Sequence, residues 1–115
     1  MHEMGIMKEV LTVALDFAER NSAQKVLTIS LEVGALSDIV PRFAQMFFTM
    51  LAKDTMAEEA KIEIDTIPAR VRCRQCGEAM ELEIGDLIQI CPHCAGKELG
   101  LISGREFRVR SMEII

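Results

Sequence analysis

The sequence predicts an α+β fold. It is a small mixed domain of two helices packed on a three-stranded sheet, with a four-cysteine module inserted before the last strand. Three observations lead there. Apolar residues recur at helical spacing in two segments, 4–20 and 41–52. They alternate with polar residues in three others, 25–33, 61–67 and 106–114. Between the second and third alternating segments the composition changes at Pro68, and all the cysteines of the chain fall within 69–98.

The first helix carries Met4, Met7, Leu11, Ala14 and Ala18 at three- and four-residue spacing, with Ile6, Val10, Val13 and Phe17 as an adjoining stripe. Together they make a wide apolar face, and Lys8, Glu9, Asp16, Glu19 and Arg20 fall mostly elsewhere. Asn21-Ser22 is the stop. The first strand puts Leu27, Ile29, Leu31 and Val33 on one face and Thr28, Ser30 and Glu32 on a wet one. Gly34 ends it. Ser37 and Asp38 are suited to cap the second helix, whose first turn takes Pro41. Phe43, Met46, Phe47, Met50 and Leu51 then repeat at helical spacing, and the methionines among them read as core filling. Residues 61–67 form the second strand. Residues 106–114 return to the same sheet as the third. The domains are therefore 1–68 plus 104–115, and an inserted module at 69–103. The module holds short alternating pieces such as 80–84 and turn glycines at 77, 85 and 96, and it is too small for an apolar core of its own.

Composition excludes several classes. No run of about 18 apolar residues exists, so no membrane span is expected. The first residues lack the basic start and apolar block of a secretory signal, which points to the cytoplasm. A net charge of −5 is poorly suited to nucleic acid, and the absence of Trp and Tyr removes the usual platform for stacking bases. No nucleophile–base pair, phosphate loop or pair of catalytically spaced carboxylates is present, so an enzyme is not expected.

The cysteines form two Cys-x-x-Cys pairs, Cys73 with Cys76 and Cys91 with Cys94. In a reducing compartment this pattern reads as metal binding rather than as disulfides. Each pair aims two thiolates at one ion, and four thiolates at tetrahedral corners suit Zn(II) in a closed, zinc-ribbon-like structural site. Iron is the competing metal, and a redox-active disulfide is the lesser alternative. Arg72 and Arg74 are placed to offset the negative charge of the thiolates. His93, inside the second pair, is either a turn residue or an accessory ligand.

The chain opens Met1-His2-Glu3. A terminal amine, a deprotonated backbone amide and an imidazole chelate one ion through fused small rings, and in-plane nitrogen donors favour Ni(II) or Cu(II) over Zn(II). Glu3 offers a further amide nitrogen or a carboxylate that orients His2. Taken alone, this stretch is a weak signal, and a solvated chain end is the plainer reading. It occurs, however, with Val33-Gly-Ala-Leu-Ser-Asp-Ile-Val-Pro41, with the two cysteine pairs, and with the ending Gly104-Arg-Glu-Phe-Arg-Val-Arg-Ser-Met-Glu-Ile114, in that order. The combination resembles the HypA/HybF family of nickel metallochaperones for nickel-iron hydrogenase maturation, over essentially the whole chain. The resemblance implies a nickel-binding α/β domain and a separate zinc domain. It implies nickel at Met1, His2 and Glu3 and zinc at Cys73, Cys76, Cys91 and Cys94. It also implies a HypB-type GTPase partner and delivery of Ni(II) to the nickel-iron hydrogenase large subunit. Some members serve urease maturation, and some switch between monomer and homodimer.

The rival reading is a zinc-ribbon module that binds nucleic acid or protein. Arg70, Arg72 and Arg74, with Arg105, Arg108 and Arg110 beyond the module, would then supply a basic stripe. The plainer account of these arginines is solvated strand faces.

Overall fold

The computed structural model describes residues 2–82 and 90–115, with His2 described in its backbone only. Met1 lies outside the described residues, as do positions 83–85 of the expected alternating piece and its turn. The described residues form α1 (His2–Arg20), β1 (Val26–Gly34), α2 (Pro41–Leu51), β2 (Lys61–Ile67), β3 (Ala69–Cys73), β4 (Ala79–Leu82), β5 (Leu99–Ser103) and β6 (Phe107–Ile114). Two three-stranded sheets result, ordered β2-β1-β6 and β4-β3-β5. The third alternating segment thus joins the first sheet beside β1, as its pattern predicts. None of the described helices is long and apolar enough to cross a membrane.

The chain divides into two compact units. The first comprises Met1–Glu32, Asp38–Asp65 and Arg108–Ile115. Its helix α1 starts at His2, two residues earlier than the apolar spacing suggests, and buries Glu3, Met7, Val10, Ala14 and Ala18 along one line. The predicted wide face narrows accordingly, and Val13 and Phe17 remain 50% and 41% exposed. Fully buried Val26, Ile29 and Leu31 of β1 and Phe48 of α2 complete the core with Met7. Each such side chain stabilises the fold by about 1.5–3 kcal/mol relative to its exposed state.

Helix α2 departs from the sequence reading in two ways. Its buried residues are Ala44, Phe47 and Phe48, while Phe43, Met46 and Met50 are 37%, 48% and 61% exposed. The methionines are therefore not core filling. Apolar residues occur on both sides of this helix, so its sequence alone does not fix its rotation. Small Ala44 lets the helix seat Phe48 fully, and α2 packs against α1. Nor do Ser37 and Asp38 cap the helix. The N-cap is Val40, which has no side-chain cap, and the Ser37 hydroxyl is buried without a partner among the described residues. The helix begins at Pro41, where the spacing places it, and Ser37 belongs instead to the second unit.

The second unit comprises Val33–Ser37 and Thr66–Phe107. Strand β3 is central and pairs antiparallel with both neighbours, Val71 opposite Met80 of β4 and Leu101 of β5. Alternation along β3 buries Ala69, Val71 and Cys73 and exposes Arg70 and Arg72. The segment Val33–Ser37 is tied in by its backbone: Gly34 N–H donates to the carbonyl of Glu106, Ala35 N–H to that of Ile67 and Leu36 N–H to that of Gly104, each at 2.8 Å. The approach is close enough that a Cβ on Gly34 would lie 2.1 Å from the Gly104 carbonyl.

Candidate metal centre

Two turns of the second unit present the cysteines. In the first, Gly77 N–H donates to the Cys73 carbonyl at 2.9 Å and Cys73 N–H to that of Glu78 at 2.9 Å. In the second, Ala95 N–H donates to the Cys91 carbonyl at 2.9 Å and Cys91 N–H to that of Gly96 at 2.8 Å. The two are one motif, used twice. Each needs a left-handed residue directly after its second cysteine, and Gly77 (φ 80°) and Ala95 (φ 59°) fill that place. The left-handed region is open to glycine and costly for alanine.

The turns bring the four sulfurs of Cys73, Cys76, Cys91 and Cys94 within 4.8 Å of one another. Cys73 Sγ lies 3.6 Å from Cys94 Sγ, and Cys76 Sγ lies 3.6 Å from Cys91 Sγ. These separations are too long for disulfides, whose S–S length is about 2.05 Å. They match the edge of a tetrahedron around zinc, about 3.8 Å for a Zn–S distance of about 2.3 Å. Cys73 and Cys91 are buried, Cys94 is half-buried and Cys76 exposed. Backbone donors serve the sulfurs directly: His93 N–H points at Cys91 Sγ and Gly96 N–H at Cys94 Sγ, each at 3.4 Å.

The protonation pattern of the thiols follows from this crowding. The Cys76 N–H brings the Cys73 thiol down to about 7, helped by the N–H of Gln75 against the cost of burial. For Cys94 the Gly96 N–H pulls downward, but burial and the three neighbouring thiols outweigh it and push the group up to about 12. The Cys76 thiol is also raised: the Glu78 N–H lowers it, and burial and Cys91 prevail. The Cys73 thiolate forms readily while those of Cys76 and Cys94 are resisted, because negative sulfurs at this spacing repel one another unless a cation lies among them. The donor set therefore fits a resident divalent metal of the Zn(II) type, held by all four cysteines with no position left open.

The remaining candidates are placed as follows. His93 is exposed, and its contribution to the cluster is its backbone N–H. Arg72 donates through Nη1 to the Gly77 carbonyl at 2.8 Å, which braces the first turn, and the Arg74 guanidinium lies over Gly100. The arginine stripe is split between the units. Arg108 bonds Glu32 at 2.6 Å and Arg110 approaches Asp65 at 3.6 Å within the first unit, so these two balance charge across the sheet. At the amino-terminal triplet, Met1 and the His2 side chain lie outside what the structure describes. Glu3 is 9% exposed, and its Oε1 accepts a hydrogen bond from the Val40 N–H at 3.4 Å. The signal for that burial is present in the sequence: position 3 continues the line of Met7, Val10, Ala14 and Ala18 by one turn.

Known proteins resemble this chain in sequence and fold. The sequence profile of the family described as "Hydrogenase/urease nickel incorporation, metallochaperone, hypA" matches residues 1–114. The chain is 35% identical to the hydrogenase maturation factor HypA of Picosynechococcus sp. over 115 residues, which covers 100% of both chains. It is 37% identical to the factor of the same name from Dehalococcoides mccartyi over 99% of this chain and 94% of that one. Among solved structures, it resembles the solution structure of a HypA protein with a TM-score of 0.74 at 20% identity, covering 100% of this chain and 97% of that chain. The solution structure of the nickel metallochaperone HypA from Helicobacter pylori gives a TM-score of 0.67 at 18% identity, covering 98% and 97%. At those identities the structural likeness speaks for the fold, and the sequence matches carry the family. The chain belongs to the HypA family of nickel-incorporation metallochaperones of hydrogenase maturation.

Proposed function

We propose that the protein carries Ni(II) at Met1, His2 and Glu3 and delivers it, with a HypB-type GTPase, to the nickel-iron hydrogenase large subunit. Urease is the second recipient within the same reading. The first unit is then the nickel-binding domain. The second unit holds a resident Zn(II) on Cys73, Cys76, Cys91 and Cys94. The observation that carries the proposal is the match to a nickel-incorporation family along 1–114, in a chain whose thiol cluster is already complete with four ligands. A closed thiolate cage suits a metal that stays, so the cargo needs nitrogen donors elsewhere.

The start of α1 supports that role. The first N–H groups of a helix have no acceptor within it, so the amides of His2 and Glu3 lose no helical hydrogen bond on giving up a proton to a metal. A site on a chain end is also released ligand by ligand, which suits transfer. Affinity falls on acidification, because amine and imidazole must be free of protons.

Calorimetric titration of Ni(II) into zinc-loaded protein tests the proposal, with a control carrying a few residues before Met1. One equivalent bound by the native form and lost from the extended form is the expected result. Equal binding by both forms moves the nickel ligands away from Met1.

A further inference from the structure

We infer that the Glu3 carboxylate is not a nickel ligand but a positioning group, which caps α2 and so ties the first turn of α1 to the start of the second helix. This refines the amino-terminal nickel site proposed above and rests on that reading where nickel is concerned.

The start of α2 lacks a cap of its own. Val40 stands at the N-cap with φ −95° and ψ 116°, the backbone conformation an N-cap requires, but its side chain offers no acceptor. Pro41 has no N–H to satisfy, and Phe43 N–H is taken by the Val40 carbonyl at 3.0 Å. The Val40 N–H is met by Glu3 Oε1 from 37 residues away in sequence. The first turn of α2 contains no acidic residue, so the carboxylate of Glu3 is also the negative charge that the positive end of the helix dipole favours. Glu3 is the one charged side chain among the buried described residues, and burial of a carboxylate demands such a partner. Its position on α1, four residues before buried Met7, directs it inward. An inward carboxylate engaged with α2 leaves Met1 and His2 to supply the donors that reach a solvent-borne ion, with Glu3 contributing through its backbone nitrogen.

Three variants separate cap from ligand. Glu3→Gln keeps an acceptor oxygen for Val40 N–H and removes the carboxylate. It is expected to bind Ni(II) within about threefold of the unaltered protein, with the same absorption spectrum and nearly the same melting temperature. Glu3→Ala is expected to melt a few degrees lower, in line with the shift of about 4–8 °C that loss of a full cap causes in a domain of this size. Val40→Asp added to Glu3→Ala gives the N-cap an acceptor for the N–H of Arg42 or Phe43 and returns a negative charge to the helix start, and is expected to restore part of that loss. A drop in nickel affinity of about tenfold or more in Glu3→Gln at unchanged melting temperature overturns the inference, because the carboxylate is then a ligand. An unchanged melting temperature in Glu3→Ala, or no recovery with Val40→Asp, overturns it as well. If the unaltered protein takes up no nickel through Met1, the amino-terminal site fails on its own account, and the melting series still decides the cap.

Discussion

The two units of this molecule solve the same problem with different materials. The largest fully buried side chains of the first are Phe48, Met7, Ile29, Leu31 and Val26; those of the second are Cys73 and Cys91. The first unit has hydrocarbon where the second has sulfur. A sheet as small as β4-β3-β5 cannot enclose enough apolar surface to hold itself together. The four thiols stand where a core would, and a cation held among them would offset their mutual repulsion when ionised. The difference teaches that one unit is stabilised by its apolar composition while the other carries the side chains for stabilisation by coordination.

Removing the metal should therefore unfold the second unit and spare the first. Zinc binding contributes about 10–16 kcal/mol to the folding of small zinc modules. Treatment with a strong chelator, or Cys73→Ser, should collapse the amide signals of β3 to β5 and open 69–103 to proteolysis. The helical circular dichroism of α1 and α2 should persist. Simultaneous loss of both would show that the two units do not stand on separate interactions.

The complementary variant is Phe48→Ala, which leaves a cavity in the hydrocarbon core and should cost about 3–5 kcal/mol. Its melting temperature should drop steeply while bound zinc stays at one equivalent. Zinc loss in this variant would blur the contrast. Gly34→Ala acts on the backbone ties of the second unit. The added methyl meets backbone rather than a movable side chain, and about 1–3 kcal/mol of strain is expected, read as faster zinc release to a chelator.

The smallest effects compare the two cysteine turns with each other. Gly77 has open space around its missing Cβ, so Gly77→Ala tests backbone conformation alone and should cost about 1 kcal/mol. Ala95→Gly should do the reverse, by up to about 1 kcal/mol less the entropy of the added glycine. Zinc affinity measured against a competing chelator should move down in the first and up in the second. Equal affinities across both variants would mean that the φ angles at 77 and 95 carry no cost.

Periodicity suffices to locate both helices and all three strands of the first sheet, because helical or alternating spacing of apolar residues is a local property. The cysteine cluster is legible for a related reason. Two residues between cysteines is the spacing a tight turn needs to point both sulfurs one way. The short strand β5 is not individually legible, since Leu99–Ser103 carries apolar residues on both faces and leaves two of them, Leu101 and Ile102, exposed. The buried face of α2 is hidden from the sequence on the same ground.

By itself, then, the sequence determined what local spacing can encode: the helical and strand periods, the paired cysteines, and the order of motifs that places the chain in its family. Only the tertiary structure decided what depends on residues far apart in the chain. It assigned Val33–Ser37 to the second unit, with three backbone hydrogen bonds, which took Ser37 away from α2. It turned Ala44 and Phe48 inward rather than Phe43 and Met46. It also brought Glu3 to the bare N-cap at Val40. In each case the local segment left a backbone group or helix face undecided, and packing against a distant segment settled it.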